Sequence, residues 1–166
     1  IDWHIIQRFG SNRDWKNDGN WKAAGGGPSN RLWRFYAWDT ERILENVNES
    51  VVPGPSNDPS RIFNALMNVP EFVVRFGDRA HKHLFNGGAL TVESNITRWM
   101  ERAEEQDLAI IAESARWGDS KRSNSPFTRD DEWINEQNRL INAYFPARTD
   151  IVIDKFQDCL LYTSPS

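Results

Sequence analysis

Apolar residues recur with a helical period through most of this chain, and with a period of two along one short stretch near its start. Before Gly10, large apolar residues stand three positions apart: Trp3, Ile6 and Phe9. That spacing predicts the end of a helix over residues 1–10. Residues 11–20 are polar and predict a loop. Segments 21–24 and 31–38 flank a glycine-rich turn and predict a β-hairpin.

The remainder of the chain predicts helices. Pro59 suits the first position of a helix that runs to about Asn68, with Asp58 as its cap. A second helix starts at Pro70 and ends at the pair Gly87–Gly88. Its apolar stripe has members four residues apart: Phe72, Phe76, Ala80 and Leu84.

Three further helical regions are predicted: 91–117, 128–146 and 149–156. We expect the first to bend or break near Gln106. Thr128 and Asp131 resemble a capping box at the start of the second, which ends at Pro146. Thr149 caps the third. The fold class that follows is α+β and mostly helical, with a short hairpin leading into the helices.

Composition bounds the function classes. The 166 residues suit one domain with a sizeable core, and a hydrophobic fraction of 39% is ordinary for a globular protein. A net charge of −4 gives no general field for nucleic acid, so we expect no nucleic-acid partner. No apolar run is long enough for a transmembrane helix. The eight tryptophans predict aromatic packing between elements.

Both ends of the sequence look unlike the ends of a natural domain. The chain opens at Ile1, without a methionine and already inside an amphipathic segment. Residues 159–166 resemble translated sequencing-adapter read-through. We therefore expect an internal fragment of a longer protein, with a domain over 1–158 and a non-native tail over 159–166.

One stretch carries most of the candidate chemistry. A loop dense in Asn and Asp, which contains Asp14 and Asn20, precedes a strand that leads to Asp39. Carboxylates and amides bind hard cations, and a strand fixes where such groups lie. In protein kinases an Asp accepts the substrate proton, while an Asn and a second Asp bind metal. Taken alone, Asp14 and Asp39 are more often loop or turn caps than catalytic residues.

The chain resembles the CotH kinase family, the spore-coat protein H-like atypical kinases. The resemblance covers about residues 1–158 and is most similar to long bacterial envelope or secreted members. The matching residues begin with Asp14-Trp15, Asn20-Trp21, Trp33-Arg34-Phe35 and Trp38-Asp39-Thr40-Glu41. Further matches follow at Pro70-Glu71-Phe72, Arg75-Phe76-Gly77-Asp78-Arg79, Phe85-Asn86-Gly87-Gly88 and the segment Glu113–Asp119.

The resemblance implies the C-terminal lobe of a protein-kinase-like fold, with the N-terminal lobe missing upstream of this chain. It implies ATP, Mg²⁺ or Mn²⁺, and phosphorylation of Ser or Thr on a protein substrate. Asp14 matches the catalytic aspartate, while Asp39 and Asn20 match the groups that bind the nucleotide and its metal. Glu41 is a further candidate metal ligand, and Asn17 is an alternative to Asn20.

The resemblance also implies an extracellular or cell-envelope location. Two other function classes remain open. The domain could be a catalytically inactive kinase-like module that binds partners through its tryptophan-lined surface. Metal-assisted hydrolysis by the same carboxylates is weaker, because no His or further acidic cluster supplies a second metal site.

Overall fold

The computed structural model describes residues 1–15, 20–27, 32–49 and 59–161, with side chains described as far as Asp158. Four predictions fall outside these residues: the alternative ligand Asn17, the hairpin turn, the cap Asp58, and the tail beyond residue 161.

The described part of the chain is α+β and mostly helical, as predicted. Its elements in chain order are α1 (Asp2–Phe9), β1 (Trp21–Gly25), β2 (Trp33–Ala37), α2 (Pro59–Leu66), α3 (Pro70–Leu84), α4 (Val92–Trp117), α5 (Ile134–Arg139) and α6 (Phe145–Leu161). Two π-helical segments, Arg129–Trp133 and Leu140–Tyr144, precede and follow α5. Strands β1 and β2 pair antiparallel. None of the described helices has the length and apolar character needed to cross a membrane.

Two predicted helix interruptions were wrong. Helix α4 continues through Gln106, where the guanidinium of Arg129 holds the carboxylate of Asp107 at 2.8 Å and anchors the helix. Pro146 does not end a helix, because it lies in the first turn of α6, directly after a π-helical turn, and a missing N–H is tolerated there. Thr149 therefore lies inside α6, and its hydroxyl donates to the carbonyl of Leu90 at 2.9 Å.

The cap at Thr128 forms with a different partner from the one predicted. The hydroxyl of Thr128 accepts from the backbone N–H of Asp131 at 3.1 Å. The reciprocal bond comes from the N–H of Thr128 to the carboxylate of Glu132, at 2.8 Å. The helix opens with a π-helical turn, which displaces the acidic partner by one position from the usual box.

The main core joins the first and last helices. Helix α1 contributes Ile5 and Phe9, and α6 contributes Val152 and Phe156. Between them lie aromatic and aliphatic residues of α2, α3 and the turn that follows α3: Phe63, Phe76, Ala80, Leu84 and Leu90. Most of the predicted stripe of the second helix is thus buried. A smaller aromatic cluster, Trp3 and Trp15 with Trp21 and Phe35, lies under the hairpin.

The segment Glu113–Asp119 ends at a close backbone crossing. A Cβ atom on Gly118 would lie 2.3 Å from the carbonyl oxygen of Phe127. The N–H of Phe127 donates to the carbonyl of Gly118 at 2.8 Å, so the two backbone segments are hydrogen-bonded where they cross. Glycine is therefore required at this point of the segment.

Candidate functional site

The two segments that carry the predicted site lie side by side. We name them the Asp14 loop (residues 10–15) and the Asp39 loop (residues 38–49). The N–H of Leu44 donates to the carbonyl of Gly10 at 2.7 Å, and the N–H of Arg13 donates to that of Arg42 at 3.5 Å. The chain therefore brings the two predicted loops together through its backbone.

Asp14 and Asn20 are in direct contact. The Nδ2 atom of Asn20 donates to a carboxylate oxygen of Asp14 at 2.8 Å. The backbone N–H of Asp14 donates to the side chain of Asn12 at 2.9 Å, which is an Asx turn. Asn12 is fully buried and donates in turn to Gln7 at 2.7 Å. The position of Asp14 is thus set from both sides.

Asp39 lies at the same end of the hairpin as Asn20. Trp21 pairs with Ala37 at the end of the ladder, so Asn20 and Trp38 are the next positions out, and Asp39 follows. The carboxylate of Asp39 is exposed. Its φ is +53°, in the left-handed region that costs a non-glycine residue roughly 1–2 kcal/mol. Such backbone strain is concentrated at functional sites.

Glu41 is exposed on the Asp39 loop, one residue before Arg42. The pKa of the Arg42 guanidinium is raised above its ordinary value, mainly by its hydrogen bond to Glu45, with the charges of Asp14 and Glu41 adding to the effect. Arg42 is therefore within electrostatic reach of carboxylates from both loops.

The donor set suits a magnesium nucleotide better than a metal held by protein alone. Within the described ranges, no three His, Cys, Asp or Glu side chains come together as a metal site. Mg²⁺ in nucleotide sites is held by one or two carboxylates, phosphate oxygens and waters. Asp39 offers an exposed carboxylate. Because Asn20 uses its Nδ2 on Asp14, its Oδ1 is the atom left to face a cation.

Side chains from the last helical stretch hold both loops. The guanidinium of Arg148 donates to the carbonyls of Phe9 at 2.8 Å and Glu49 at 2.9 Å. It also donates to the carbonyls of Arg8 and Val47, both at 2.5 Å. Arg148 is 1% exposed, and burial lowers the pKa of its guanidinium. One side chain thus joins the end of α1 to the Asp39 loop.

Two further side chains add to this attachment. The hydroxyl of Tyr144 donates to the carbonyl of Phe9 at 3.2 Å and lies 3.0 Å from the hydroxyl of Ser11. Arg139 donates to the carbonyl of Leu44 at 2.7 Å. Leu44 is buried with a φ of +60°, which is rare for a bulky residue and shows how firmly this turn is held.

Sequence reasoning missed the residues that position the site. Asn12, two residues before Asp14, has the spacing of an Asx turn, and that signal could have found it. Arg148 and Tyr144 carry no such signal, since their role depends on contacts distant in sequence. Gln7 binds Asn12 only five positions away, but no motif marks this pair.

Comparisons of this chain with family models, with curated proteins and with solved structures give no match.

Proposed function

We propose that this chain is the metal- and nucleotide-binding half of an ATP-dependent protein kinase that phosphorylates Ser or Thr. The observation that carries the proposal is the hydrogen bond between Asn20 and Asp14, at the hairpin end that also bears Asp39. The order Asp, Asn, hairpin, Asp is the order in which a kinase uses these groups. Resemblance to the CotH family is consistent with this arrangement.

Each of the three residues has a separate role. Asp14 orients the substrate hydroxyl and takes its proton as the oxygen attacks the γ-phosphorus and the bond to the β-phosphate oxygen breaks. Asn20 holds the Asp14 carboxylate through Nδ2 and offers Oδ1 to the cation. Asp39 would hold Mg²⁺ or Mn²⁺ at the phosphates, and that ion would supply positive charge there. Glu41 is a secondary ligand candidate on the same loop.

Positioning accounts for most of the catalysis expected of such a site. The buried side chain of Asn12 fixes the backbone of Asp14. The buried side chain of Arg148 joins the end of α1 to the Asp39 loop. We propose that the protein substrate and the bacterial envelope or extracellular location implied by the resemblance apply to the complete protein.

The test uses the complete protein that the gene encodes, with γ-labelled ATP and Mg²⁺ or Mn²⁺. Asp39→Ala should abolish labelling of protein and weaken nucleotide binding, because the metal loses its carboxylate. Asp14→Asn should lower turnover by roughly 10²–10⁴-fold and leave nucleotide affinity nearly unchanged. Asp154→Ala and Asp154→Asn, at an exposed carboxylate of α6, are the matched controls. If the unsubstituted protein neither binds nucleotide nor labels any protein, the kinase proposal fails.

A second candidate is supported by the outer face of the hairpin. Leu32, Tyr36 and Trp38 are 69%, 49% and 56% exposed, and they share one face of β2 and its flanks. An apolar face of this kind suits a partner-binding module without catalysis. Tyr36→Ser with Trp38→Ser should then abolish partner capture, while Asp39→Ala leaves it intact. Under the kinase proposal, by contrast, Asp39→Ala abolishes the activity of the protein.

A further inference from the structure

A cavity of about 480 Å³ opens between α1, the Asp39 loop, α4 and the stretch around α5. Small-molecule sites occupy roughly 300–1,000 Å³ and are mostly apolar with a few polar groups. This cavity fits that description. Its apolar lining includes Ile6, Phe9, Leu44, Trp99, Ala103 and Phe145.

The charge of the lining is unusual for this chain. Among the described residues that line the cavity, the only charged side chains are Arg98 and Arg102, although the sequence has 24 acidic residues and a net charge of −4. Arg102 pairs with Glu105 at 2.5 Å outside the lining. Arg98 gives one nitrogen to the carbonyl of Ala89 at 3.1 Å and makes no ion pair with a described residue. Arg98 therefore supplies the net positive charge.

Uncharged polar groups accompany the arginines. Gln7 is 3% exposed and lines the cavity, and its Nε2 atom has no hydrogen-bond partner among the described residues. Gln137, also in the lining, has both of its amide atoms engaged: it accepts from the indole of Trp99 at 2.8 Å and donates to the carbonyl of Trp133 at 3.1 Å. Gln7 thus adds a buried amide donor, without a partner in the described part of the chain, to the lining that contains Arg98.

We propose that this cavity binds an anionic amphiphile, a medium-chain monocarboxylate with its chain among the apolar residues and its carboxylate at Arg98. A guanidinium binds a carboxylate through paired charge-assisted hydrogen bonds. An apolar interior with one cationic edge selects a molecule of matching polarity over a wholly apolar one.

The binding site stands apart from the proposed kinase chemistry and does not depend on it. It nevertheless touches the same loop, since Ala37 and Thr40 line the cavity on either side of Trp38 and Asp39. A bound chain would contact the backbone that flanks Asp39.

The test measures binding of decanoate to the chain by titration calorimetry, below the micelle-forming concentration, with decanol as the uncharged probe. Arg98→Gln should weaken decanoate binding roughly tenfold or more and leave decanol unaffected. Ala103→Trp should abolish both by filling the cavity. Two controls lie further along α4 and outside the cavity lining. They are Arg116→Gln, roughly 27 Å from Arg98 at 1.5 Å of rise per residue, and Ala112→Trp at an exposed position. Circular dichroism verifies that every variant is folded.

Each other outcome overturns the proposal. Equal binding of decanol and decanoate, unchanged by Arg98→Gln, would show that the cavity does not recognise an anionic group. Decanoate binding that survives Ala103→Trp would place it elsewhere. Self-association abolished by Ala103→Trp, without decanoate binding, would assign the cavity to a second copy of the chain. Binding to phosphatidylglycerol vesicles without binding of free decanoate would assign it to a lipid surface.

Discussion

The Nε atom of Arg148, in the last helix, lies 2.8 Å from the carbonyl oxygen of Phe9, at the end of the first helix. The same guanidinium donates to the carbonyls of Val47 and Glu49, at the far end of the Asp39 loop. A single buried cation therefore joins the end of α1 to this loop. Its partners are backbone dipoles and not a carboxylate. The arrangement adds a charged donor to the helix-end carbonyls of Arg8 and Phe9, which also accept from the N–H of Ser11 and the hydroxyl of Tyr144.

Replacing Arg148 should therefore destabilise the whole domain. Arg148→Met keeps much of the side-chain volume but takes the guanidinium away from the half-buried carbonyls of Val47 and Glu49, and each such group costs about 1–3 kcal/mol. We expect a loss of at least about 3 kcal/mol in the free energy of unfolding, measured by urea denaturation. Arg75→Met, at an exposed arginine of α3, is the control and should change little. Equal stability of the two variants would contradict the role assigned to Arg148.

The strained backbone at Asp39 gives a prediction that separates its conformation from its chemistry. Asp39→Gly should be more stable than Asp39→Ala by about 1 kcal/mol, because glycine adopts a φ of +53° without a Cβ penalty. Both variants should lack phosphoryl transfer in the complete protein. Thermal unfolding of the pair measures the difference, and identical midpoints would show that the residue is not held in the left-handed region.

The cap at Thr128 predicts a pH-dependent contribution from Glu132. The backbone N–H of Thr128 holds the pKa of Glu132 below its usual value of 4.5, with Arg122 adding to the effect. A carboxylate with a lowered folded-state pKa contributes stability above pH 4.5 that is lost as pH falls through its folded-state value. Glu132→Gln should therefore lower the thermal midpoint at pH 7, and the difference should close in acid.

Two matched variants test that prediction. Glu104→Gln, at an exposed position of α4, should show no such pH-dependent difference. Asp131→Asn should change the midpoint less than Glu132→Gln, since Asp131 contributes its backbone N–H and not its carboxylate to the cap. A larger change of the midpoint for Asp131→Asn than for Glu132→Gln would show that the carboxylate of Asp131 is the capping partner, as the sequence predicts.

Removal of residues 159–166 should leave the thermal midpoint unchanged. Among the described side chains of α6, which end at Asp158, the last in the main core is Phe156, and the sequence predicts a non-native tail. Phe156→Ala, by contrast, should cost about 3–5 kcal/mol, since it empties part of that core. A large loss of stability on truncation would show that the tail is part of the native structure.

Local patterns predicted most of the elements but not their connections. The stripe Phe72–Leu84 and the segment before Gly10 became helices because their periodicity reports burial directly. The predictions at Pro146 and Gln106 were wrong. Whether a helix continues at Pro146 depends on the preceding π-helical turn, and at Gln106 on the ion pair of Asp107 with Arg129. Propensity alone does not include such tertiary terms.

The residues of the candidate site could be predicted from local sequence, but their relative placement could not. Asp14, Asn20 and Asp39 are predicted from residue type and order along the chain. Their mutual placement depends on the register of Trp21 with Ala37, and the fixation of the loops depends on Arg148. A residue more than a hundred positions away leaves no mark in the local sequence, so the anchor was not predictable.

The attachment of Phe9 to Arg148 spans 139 positions, and it sets an order of events in synthesis. At ribosomal rates Arg148 emerges on the order of ten seconds after the helix end it binds. During that interval the end of α1 and the Asp39 loop are already synthesised but lack the guanidinium that joins them. A nascent chain stopped before α6 would contain both segments without this buried cation between them. Synthesis of α6 is thus the step that completes the attachment.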